Sequence, residues 1–265
     1  MSATPFFIVS SGRSGTAMLH KALSAAGDIE MHHEYMVHVV QPLAARRYHG
    51  LVDRQETLKI LAQTHLAAAR YSERRHWGDS SNKLSWLIPE LAELMPEARF
   101  VHLVRDGRKV AGSYFNKLGG ECYDDRSTAI LRAHVEDGAP APPPEKKYWW
   151  PLPPRGLDQF GRIAWHWAEI NRVILDSLAH LAPERQMFVR LEDLLVSPSL
   201  VRSLFGFLEL PYRDEHYAIF ARPHNVNRPE DRPLTDAQRA AFESVAASMM
   251  DRLGYADRDE YVVNY

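Results

Sequence analysis

Cysteine is almost absent from this sequence, in which Cys122 is the single cysteine among 265 residues. One thiol cannot form an intramolecular disulfide, and a zinc site in this chain would have to be built from histidines and carboxylates. A protein without disulfides is typical of a reducing compartment, so we expect a cytoplasmic location.

Long apolar runs and an excess of one charge are also missing. The apolar stretch Phe6–Val9 is far too short for a signal or membrane helix, so we expect no transmembrane segment. The 32 Lys and Arg residues against 34 Asp and Glu residues give a net charge of −2, which offers no general attraction for nucleic acid. With 45% hydrophobic residues the chain can bury one large core. We therefore expect a single globular domain over residues 1–265.

Residues 6–19 carry the clearest local signal in the sequence. Apolar residues 6–9 run directly into the turn Ser10–Gly15, and an apolar helical pattern follows, which predicts a strand, a tight loop and a helix. Such a loop suits an anion, because its glycines let backbone N–H groups turn inward and the new helix adds its positive end. Arg13 supplies a full charge at the same place. The loop is not a Walker A loop, since Thr16 follows the last glycine and the loop contains no lysine.

A second strand, turn and helix is predicted further along the chain. The run Arg99–Val104 is the clearest buried strand, and a helix from about Arg108 to Lys117 follows it. Arg105 leaves the strand and Ser113 stands eight residues later, two turns into the helix. Both side chains can therefore reach one phosphate from two sides.

Glu34 is expected near the first loop. Residues Ile29–Glu34 predict a short second strand, and ligands of open parallel sheets gather at the carboxyl ends of strands. Residues 76–83 are interpreted as a turn-rich approach to a helix at about 88–95. Further elements are predicted as helices at about 16–26, within 35–71, at 157–181, 198–208 and 235–253, and as a strand at 186–190.

The two loops together resemble those of the sulfotransferases that use 3′-phosphoadenosine-5′-phosphosulfate (PAPS), and the closest motifs are those of tyrosylprotein and bacterial glycolipid sulfotransferases. Residues 12–16, Gly-Arg-Ser-Gly-Thr, are similar to the 5′-phosphosulfate loop of that family. The resemblance implies an α/β fold with three layers and a central, mostly parallel sheet, the P-loop-containing nucleotide-binding (sulfotransferase) fold. The cofactor-binding residues that it implies are Arg13, Ser14, Gly15, Thr16, Ala17, Arg105, Ser113 and Arg222.

The same resemblance implies the catalytic residues Glu34, Arg13 and Lys83. Glu34 stands at the family's spacing from Arg13 and is expected to accept the proton of the acceptor, although His32 and His33 are rivals because other branches use histidine. The pair Asn82-Lys83 resembles an Asn-Lys motif whose lysine helps to bind the transferring sulfate, and no metal is required.

One departure from the family pattern is visible. Cytosolic sulfotransferases have Tyr-Glu-Asp in the strand after the long helix, where this chain has Leu191-Glu192-Asp193. The adenine contact that this tyrosine makes in the family is therefore not assumed for this chain.

The segment Gly138–Gly156 holds seven prolines and the adjacent residues Trp149 and Trp150. Prolines exclude regular structure over most of it, and the indoles are too apolar for a free linker, so we expect an ordered flap. The two tryptophans are candidate contacts to the acceptor substrate. Alternatively, both indoles anchor the flap to the core.

The implied reaction is transfer of a sulfuryl group from PAPS to a hydroxyl or amine of a small-molecule, carbohydrate or lipid acceptor. Two alternatives stay open, namely a P-loop kinase of a small hydroxyl compound and a catalytically inactive nucleotide-binding protein of the same fold. The sequence identifies neither the acceptor nor the oligomeric state.

Overall fold

The computed structural model describes residues 3–220 and 233–260. The strands are β1 (Thr4–Val9), β2 (Ile29–His33), β3 (His76–Ser80), β4 (Arg99–Val104) and β5 (Gln186–Arg190). The helices are α1 (Thr16–Ser24), α2 (Val37–Tyr48), α3 (Arg54–Leu61), α4 (Ala67–Tyr71), α5 (Ile88–Leu94), α6 (Gly107–Leu118), α7 (Asp125–Asp137), α8 (Gln159–Leu178), α9 (Leu191–Val196), α10 (Pro198–Phe207), α11 (Asp214–Phe220) and α12 (Asp236–Arg252). Single turns of π or 3₁₀ helix occupy Ala62–Leu66, Leu84–Trp86, Lys146–Tyr148 and Pro183–Arg185.

The five strands form one parallel sheet in the order β2-β3-β1-β4-β5. The chain runs from β1 to β2 and β3 on one side and then crosses to β4 and β5 on the other. The direction of winding thus reverses between β1 and β4, and the crevice at the carboxyl ends of these two strands is where such sheets bind ligands.

Helices cover both faces of the sheet, as the alternation along β1 shows. Phe7 and Val9 pack into a core with residues of α2, α3, α5 and α8, whereas Phe6 and Ile8 pack into a second core with α1 and α10. The predicted three-layer α/β fold is confirmed, and the sheet is entirely parallel.

Most of the predicted elements lie where the sequence indicated. The strands 99–104 and 186–190 are confirmed, and Thr235 caps α12 through a capping box with Gln238. The interpretation of residues 76–83 is wrong, because His76–Ser80 is the buried strand β3. A Cβ atom at Gly78 would lie 2.4 Å from Phe6 Cζ, so glycine is used here for close packing rather than for a turn.

None of the helices within the described residues has both the length and the apolar character needed to cross a membrane.

Candidate active site

The loop Ser10–Gly15 between β1 and α1 turns sharply and is stabilised by its own serines. Gly12 N–H donates to Ser10 Oγ (3.0 Å), and Ser14 Oγ donates to the Gly12 carbonyl (3.0 Å). Gly12 and Gly15 have φ of 76° and 91°, and Arg13 has φ of 53°, a left-handed conformation that costs about 1–2 kcal/mol for a residue other than glycine. The surrounding structure therefore holds Arg13 in this left-handed conformation.

Contacts from other elements fix the loop in place. Ser10 N–H donates to Ser85 Oγ (2.9 Å), and the buried Tyr114 hydroxyl donates to the Ser11 carbonyl (2.9 Å). Asn82 Nδ2 donates in turn to Tyr114 Oη (3.3 Å). A Cβ atom at Gly12 would lie 2.1 Å from that hydroxyl oxygen, so only glycine fits at this position.

The first turn of α1 is open to a ligand. Gly15 is its N-cap and, within the described residues, no side chain accepts a hydrogen bond from the backbone N–H groups that follow. Ser14 is fully buried in the loop, and Thr16 and Ala17 begin the helix. Uncapped N–H groups at a helix N-terminus favour an anion.

Arg13, Arg105 and Ser113 lie together across the β1–β4 crevice. Arg13 Nε donates to Ser113 Oγ (3.0 Å), and Arg105 Nη1 donates to the Arg13 carbonyl (3.1 Å). Within residues 3–220 and 233–260 neither guanidinium forms an ion pair with a carboxylate. The Arg105 Nε atom is buried without a hydrogen-bond partner among these residues. Partly buried guanidinium groups that have no carboxylate partner in the described part of the chain are suited to bind an anion.

Lys117, which sequence reasoning did not single out, adds a third charge to this cluster. Partial burial lowers the pKa of Lys117, and the neighbouring positive charges of Arg13 and Arg105 lower it further. Its position was detectable in the sequence, because it stands four residues after Ser113 and so on the same face of α6.

Glu34 lies just beyond β2, and its carboxylate contacts two lysines. Lys83 Nζ donates to Oε1 in a very short contact, and Lys146 Nζ donates to Oε2 at 3.2 Å. Burial raises the pKa of Glu34, but the two lysines outweigh it and hold the pKa below its ordinary value. Glu34 is therefore an ionised carboxylate at neutral pH, able to accept a proton.

Lys83 is almost completely buried beside Glu34, with 9% of its side chain exposed. Burial lowers its pKa, although the Glu34 carboxylate raises it in opposition. The Lys83 Nζ atom also lies 6.0 Å from the centre of the Trp150 ring. A buried ammonium group paired with one carboxylate is a strong local source of positive charge.

The two rival histidines have other partners. His32 Nε2 lies 2.9 Å from Glu30 Oε1, and its ring packs against Tyr35 and Trp77. His33 Nδ1 is 2.7 Å from Ser80 Oγ. The geometry thus brings Glu34, and neither histidine, to Lys83.

A model of the sulfotransferase family matches residues 5–139, just over half of the chain. This chain belongs to the sulfotransferase family. Comparison with curated proteins gives no match.

Solved sulfotransferase structures share the fold. A sulfotransferase from Alicyclobacillus acidocaldarius aligns with a TM-score of 0.57 at 15% identity, covering 98% of this chain and 98% of its own. One from Mycobacterium avium aligns at 0.53 and 13% identity, over 95% and 77% of the two chains. The sulfotransferase domain of the Synechococcus PCC 7002 olefin synthase aligns at 0.50 and 15% identity, over 98% and 97%. Identities this low show a common fold and nothing finer.

The family match covers the loop with Arg13, together with Glu34, Lys83, Arg105, Ser113 and Lys117, and it ends at the start of the flap, before Lys146 and Trp150. The flap is irregular except for the turn Lys146–Tyr148. Gln41 of α2 holds this turn, because its Nε2 donates to the carbonyls of Lys146 (2.9 Å) and Trp149 (3.3 Å). Lys146, which was absent from the predicted site, reaches Glu34 from this anchored turn.

Both flap tryptophans are buried, Trp149 with 5% and Trp150 with 9% of the residue exposed. Trp149 Nε1 donates to the Pro143 carbonyl (2.7 Å), and Trp150 Nε1 donates to the Glu121 carbonyl (3.0 Å). The Trp150 hydrogen bond therefore ties the flap to the body of the protein, whereas Trp149 bonds within the flap and its ring packs against Ala45 and Leu131 of the body. The contact of the two tryptophans with an acceptor stays a prediction, for which Trp150 is better situated because it faces Lys83.

The residues Leu191-Glu192-Asp193, where the chain departs from the family pattern, contact the loop Ser10–Gly15 and the turn after β4. Leu191, where cytosolic family members carry tyrosine, packs beside Gly15 of the loop. Glu192 accepts the Asp106 N–H (3.0 Å) and the Tyr255 hydroxyl proton (2.7 Å), so it fixes the turn that follows Arg105.

Arg222, the remaining predicted cofactor contact, lies outside the described residues. Within those residues no group of three or more His, Cys, Asp and Glu side chains is arranged to hold a metal ion.

Proposed function

We propose that this member of the sulfotransferase family transfers the sulfuryl group of PAPS to a hydroxyl or amine of an acceptor and releases adenosine 3′,5′-bisphosphate. One observation carries the proposal. The ionised carboxylate of Glu34 contacts the buried ammonium group of Lys83, at the same edge of the sheet as the guanidinium groups of Arg13 and Arg105, which form no ion pair among the described residues. A carboxylate beside the cation cluster can take up the proton of an acceptor, a function that nucleotide binding alone does not require.

The cation cluster fits the donor nucleotide. PAPS carries anionic groups at both its 5′ and 3′ ends, and the described site has two places for them. The open N–H groups from Ser14 to Ala17, with Arg13, suit the 5′-phosphosulfate. Arg105 and Ser113, with Lys117 nearby, suit the 3′-phosphate. We propose Arg222 as a further phosphate contact on the resemblance alone.

Glu34 is proposed as the base, and Lys83 and Arg13 as the groups that stabilise the leaving oxygen. Glu34 removes the acceptor's proton while the acceptor oxygen or nitrogen bonds to sulfur, a role worth ~10²–10⁴-fold in rate. The bond from sulfur to the bridging phosphate oxygen breaks in the same step. Lys83 and Arg13 offset the negative charge that develops on that oxygen, so the mechanism requires no metal.

The acceptor is proposed to be a small molecule, carbohydrate or lipid with an apolar part. Met36 and Val39, which follow Glu34 at the start of α2, are 43% and 39% exposed. They offer exposed apolar surface within five residues of the base along the chain, and the Trp150 ring lies 6.0 Å from Lys83 Nζ. We also propose that the enzyme works in the reducing cytoplasm, in keeping with its single cysteine.

Two measurements test the proposal. First, the protein is incubated with ³⁵S-labelled PAPS and an extract of small molecules and lipids; the wild type is expected to label a product that Glu34→Gln does not. Second, adenosine 3′,5′-bisphosphate without metal is expected to raise the melting temperature more than ATP with Mg²⁺ does. A larger shift with ATP and Mg²⁺ would favour a kinase, and nucleotide binding without any labelled product would favour an inactive binding protein.

A further inference from the structure

A buried carboxylate and a buried imidazole lie directly behind the turn that carries Glu34. Asp79 is the residue before the last in β3, His65 lies in the π-helical turn Ala62–Leu66, and both side chains are fully buried. Asp79 Oδ2 and His65 Nε2 are 3.6 Å apart, and neither atom has a hydrogen-bond partner among the described residues. Buried polar atoms in this state require an explanation.

A hydrogen bond to its neighbour in the chain orients the His65 ring towards Asp79. The Thr64 hydroxyl donates its proton to the Ile60 carbonyl (2.8 Å), so Thr64 Oγ1 can only accept from His65 Nδ1, which lies 3.0 Å away. With its Nδ1 edge held by Thr64, the His65 ring turns Nε2 towards Asp79 Oδ2. The Asp79 carboxylate is therefore packed against the imidazole, which limits the orientations that the carboxylate can take.

The turn beside this pair is strained. Glu34 and Met36 both have positive φ, 58° and 52°, although neither is glycine. Such conformations persist only where the surroundings hold them, and they concentrate at functional sites. The carboxylate of Glu34 reaches Lys83 from this turn, so the orientation of the base depends on whatever holds the turn in place.

Residues of β3 provide that support. Glu34 N–H donates to the Ser80 carbonyl (3.2 Å), and Tyr35 N–H donates to Asp79 Oδ1 (3.2 Å). The Tyr35 ring packs edge-on against His65, with ring centres 5.3 Å apart. Asp79 therefore uses one oxygen to hold the backbone next to the base and the other to face His65.

We propose that Asp79 and His65 are positioning residues, which hold Glu34 in the orientation that brings its carboxylate to Lys83. The proposal rests on the proposed role of Glu34 as the base. His65 keeps the Asp79 side chain oriented, and Asp79 fixes the Tyr35 amide. Neither residue touches the reacting atoms.

The variants Asp79→Ala and Asp79→Asn test this proposal. Alanine removes the acceptor of the Tyr35 N–H, so kcat is expected to fall about 10–100-fold, the range for a misplaced catalytic group, while the Kd of adenosine 3′,5′-bisphosphate changes less than about twofold. Asparagine keeps an oxygen for Tyr35 N–H, and its amide NH₂ can donate to a neutral His65. Asp79→Asn is therefore expected to retain kcat within about threefold of the wild type.

His102 of β4 and Asn171 of α8 provide a matched control, since they form another fully buried polar pair (2.9 Å) and have no hydrogen bond to the Glu34 turn. His102→Leu is expected to lower the melting temperature without changing kcat per folded molecule. Equal kcat losses in Asp79→Ala and His102→Leu would reduce Asp79 to a structural role and overturn the proposal. Should Asp79→Ala not fold, His65→Leu replaces it, with a loss of kcat expected and an unchanged kcat contradicting the proposal.

Hydrogen exchange gives a readout that is independent of activity. In Asp79→Ala the amide of Tyr35 is expected to exchange faster, while the amides of β1 and β4 keep their protection. If the Tyr35 amide exchanges faster in Asp79→Ala but the wild type transfers no sulfuryl group, Asp79 does hold the turn and only the proposed function is wrong. Unchanged exchange at Tyr35 would overturn the positioning role whatever the activity.

Discussion

The donor side and the acceptor side of this site are built in different ways. On the donor side, each group of contacts comes from one strand, its loop and the helix that follows, as in Ser10–Gly15 before α1 and Arg105 before α6. On the acceptor side, Glu34 meets Lys83 and, across 112 residues of sequence, Lys146. Nucleotide binding is therefore encoded in contiguous motifs, whereas the surroundings of the base depend on the packing of distant segments.

The largest expected effect comes from the base itself. Glu34→Gln preserves the shape of the side chain but removes its ability to take up a proton, so kcat should fall ~10²-fold or more. Calorimetry with adenosine 3′,5′-bisphosphate should give a nearly unchanged Kd, because the donor side is untouched. A variant that loses nucleotide affinity to the same degree as kcat would erase the distinction between the two sides.

On the donor side, the corresponding test is Arg105→Ala, which removes a proposed contact to the 3′-phosphate. Loss of a hydrogen bond from a charged group costs about 1.5–3 kcal/mol, so the Kd of adenosine 3′,5′-bisphosphate should rise about 10–100-fold. Arg99→Ala is the control, since Arg99 lies at the opposite end of the same strand and pairs with Glu209. If the variant still favours the 3′-phosphorylated nucleotide over adenosine 5′-phosphate as strongly as the wild type, Arg105 does not bind the 3′-phosphate.

The sequence was informative where structure is local. The strands 99–104 and 186–190, the loop with Arg13, and the spacing from Arg105 to Ser113 were all predictable, because short-range patterns determine them. Strand β3 was not, since its Gly, Asp and Ser residues are typical of turns. They stand in a strand because Gly78 packs closely against Phe6, while Asp79 holds the turn after β2. Such long-range reasons leave no local pattern.

The two tryptophans of the flap have different surroundings, and the Trp150 ring lies 6.0 Å from Lys83 Nζ. Trp149 packs with Ala45, Leu131 and Tyr148, away from Lys83, and its N–H is satisfied by the flap itself. Removing a buried indole costs about 3–5 kcal/mol, so Trp149→Ala should lower the melting temperature by roughly 6 °C or more and leave the acceptor KM unchanged in the folded fraction. Thermal melts and acceptor titrations measure both quantities. A raised acceptor KM without loss of stability would instead assign Trp149 to the acceptor pocket.

The smallest effect is expected from Lys146, and it bears directly on how the flap and the base are coupled. Lys146 Nζ lies 3.2 Å from Glu34 Oε2, and its positive charge helps Lys83 to hold the pKa of that carboxyl below its ordinary value. Glu34 is ionised, and so able to act as the base, only above its pKa. Lys146→Met keeps the length of the side chain and removes the charge, so the pKa of Glu34 should rise. The acid limb of the profile of kcat/KM against pH should therefore move to higher pH, while the plateau at neutral pH changes little.

Lys147→Met is the matched control, because the ammonium group of Lys147 lies over the Tyr148 ring (5.0 Å) and is not bonded to Glu34, unlike those of Lys83 and Lys146. An acid limb that stays in place in Lys146→Met, or moves equally in both variants, would show that Lys146 of the flap does not affect the pKa of Glu34. Lys83 alone would then hold that pKa below its ordinary value.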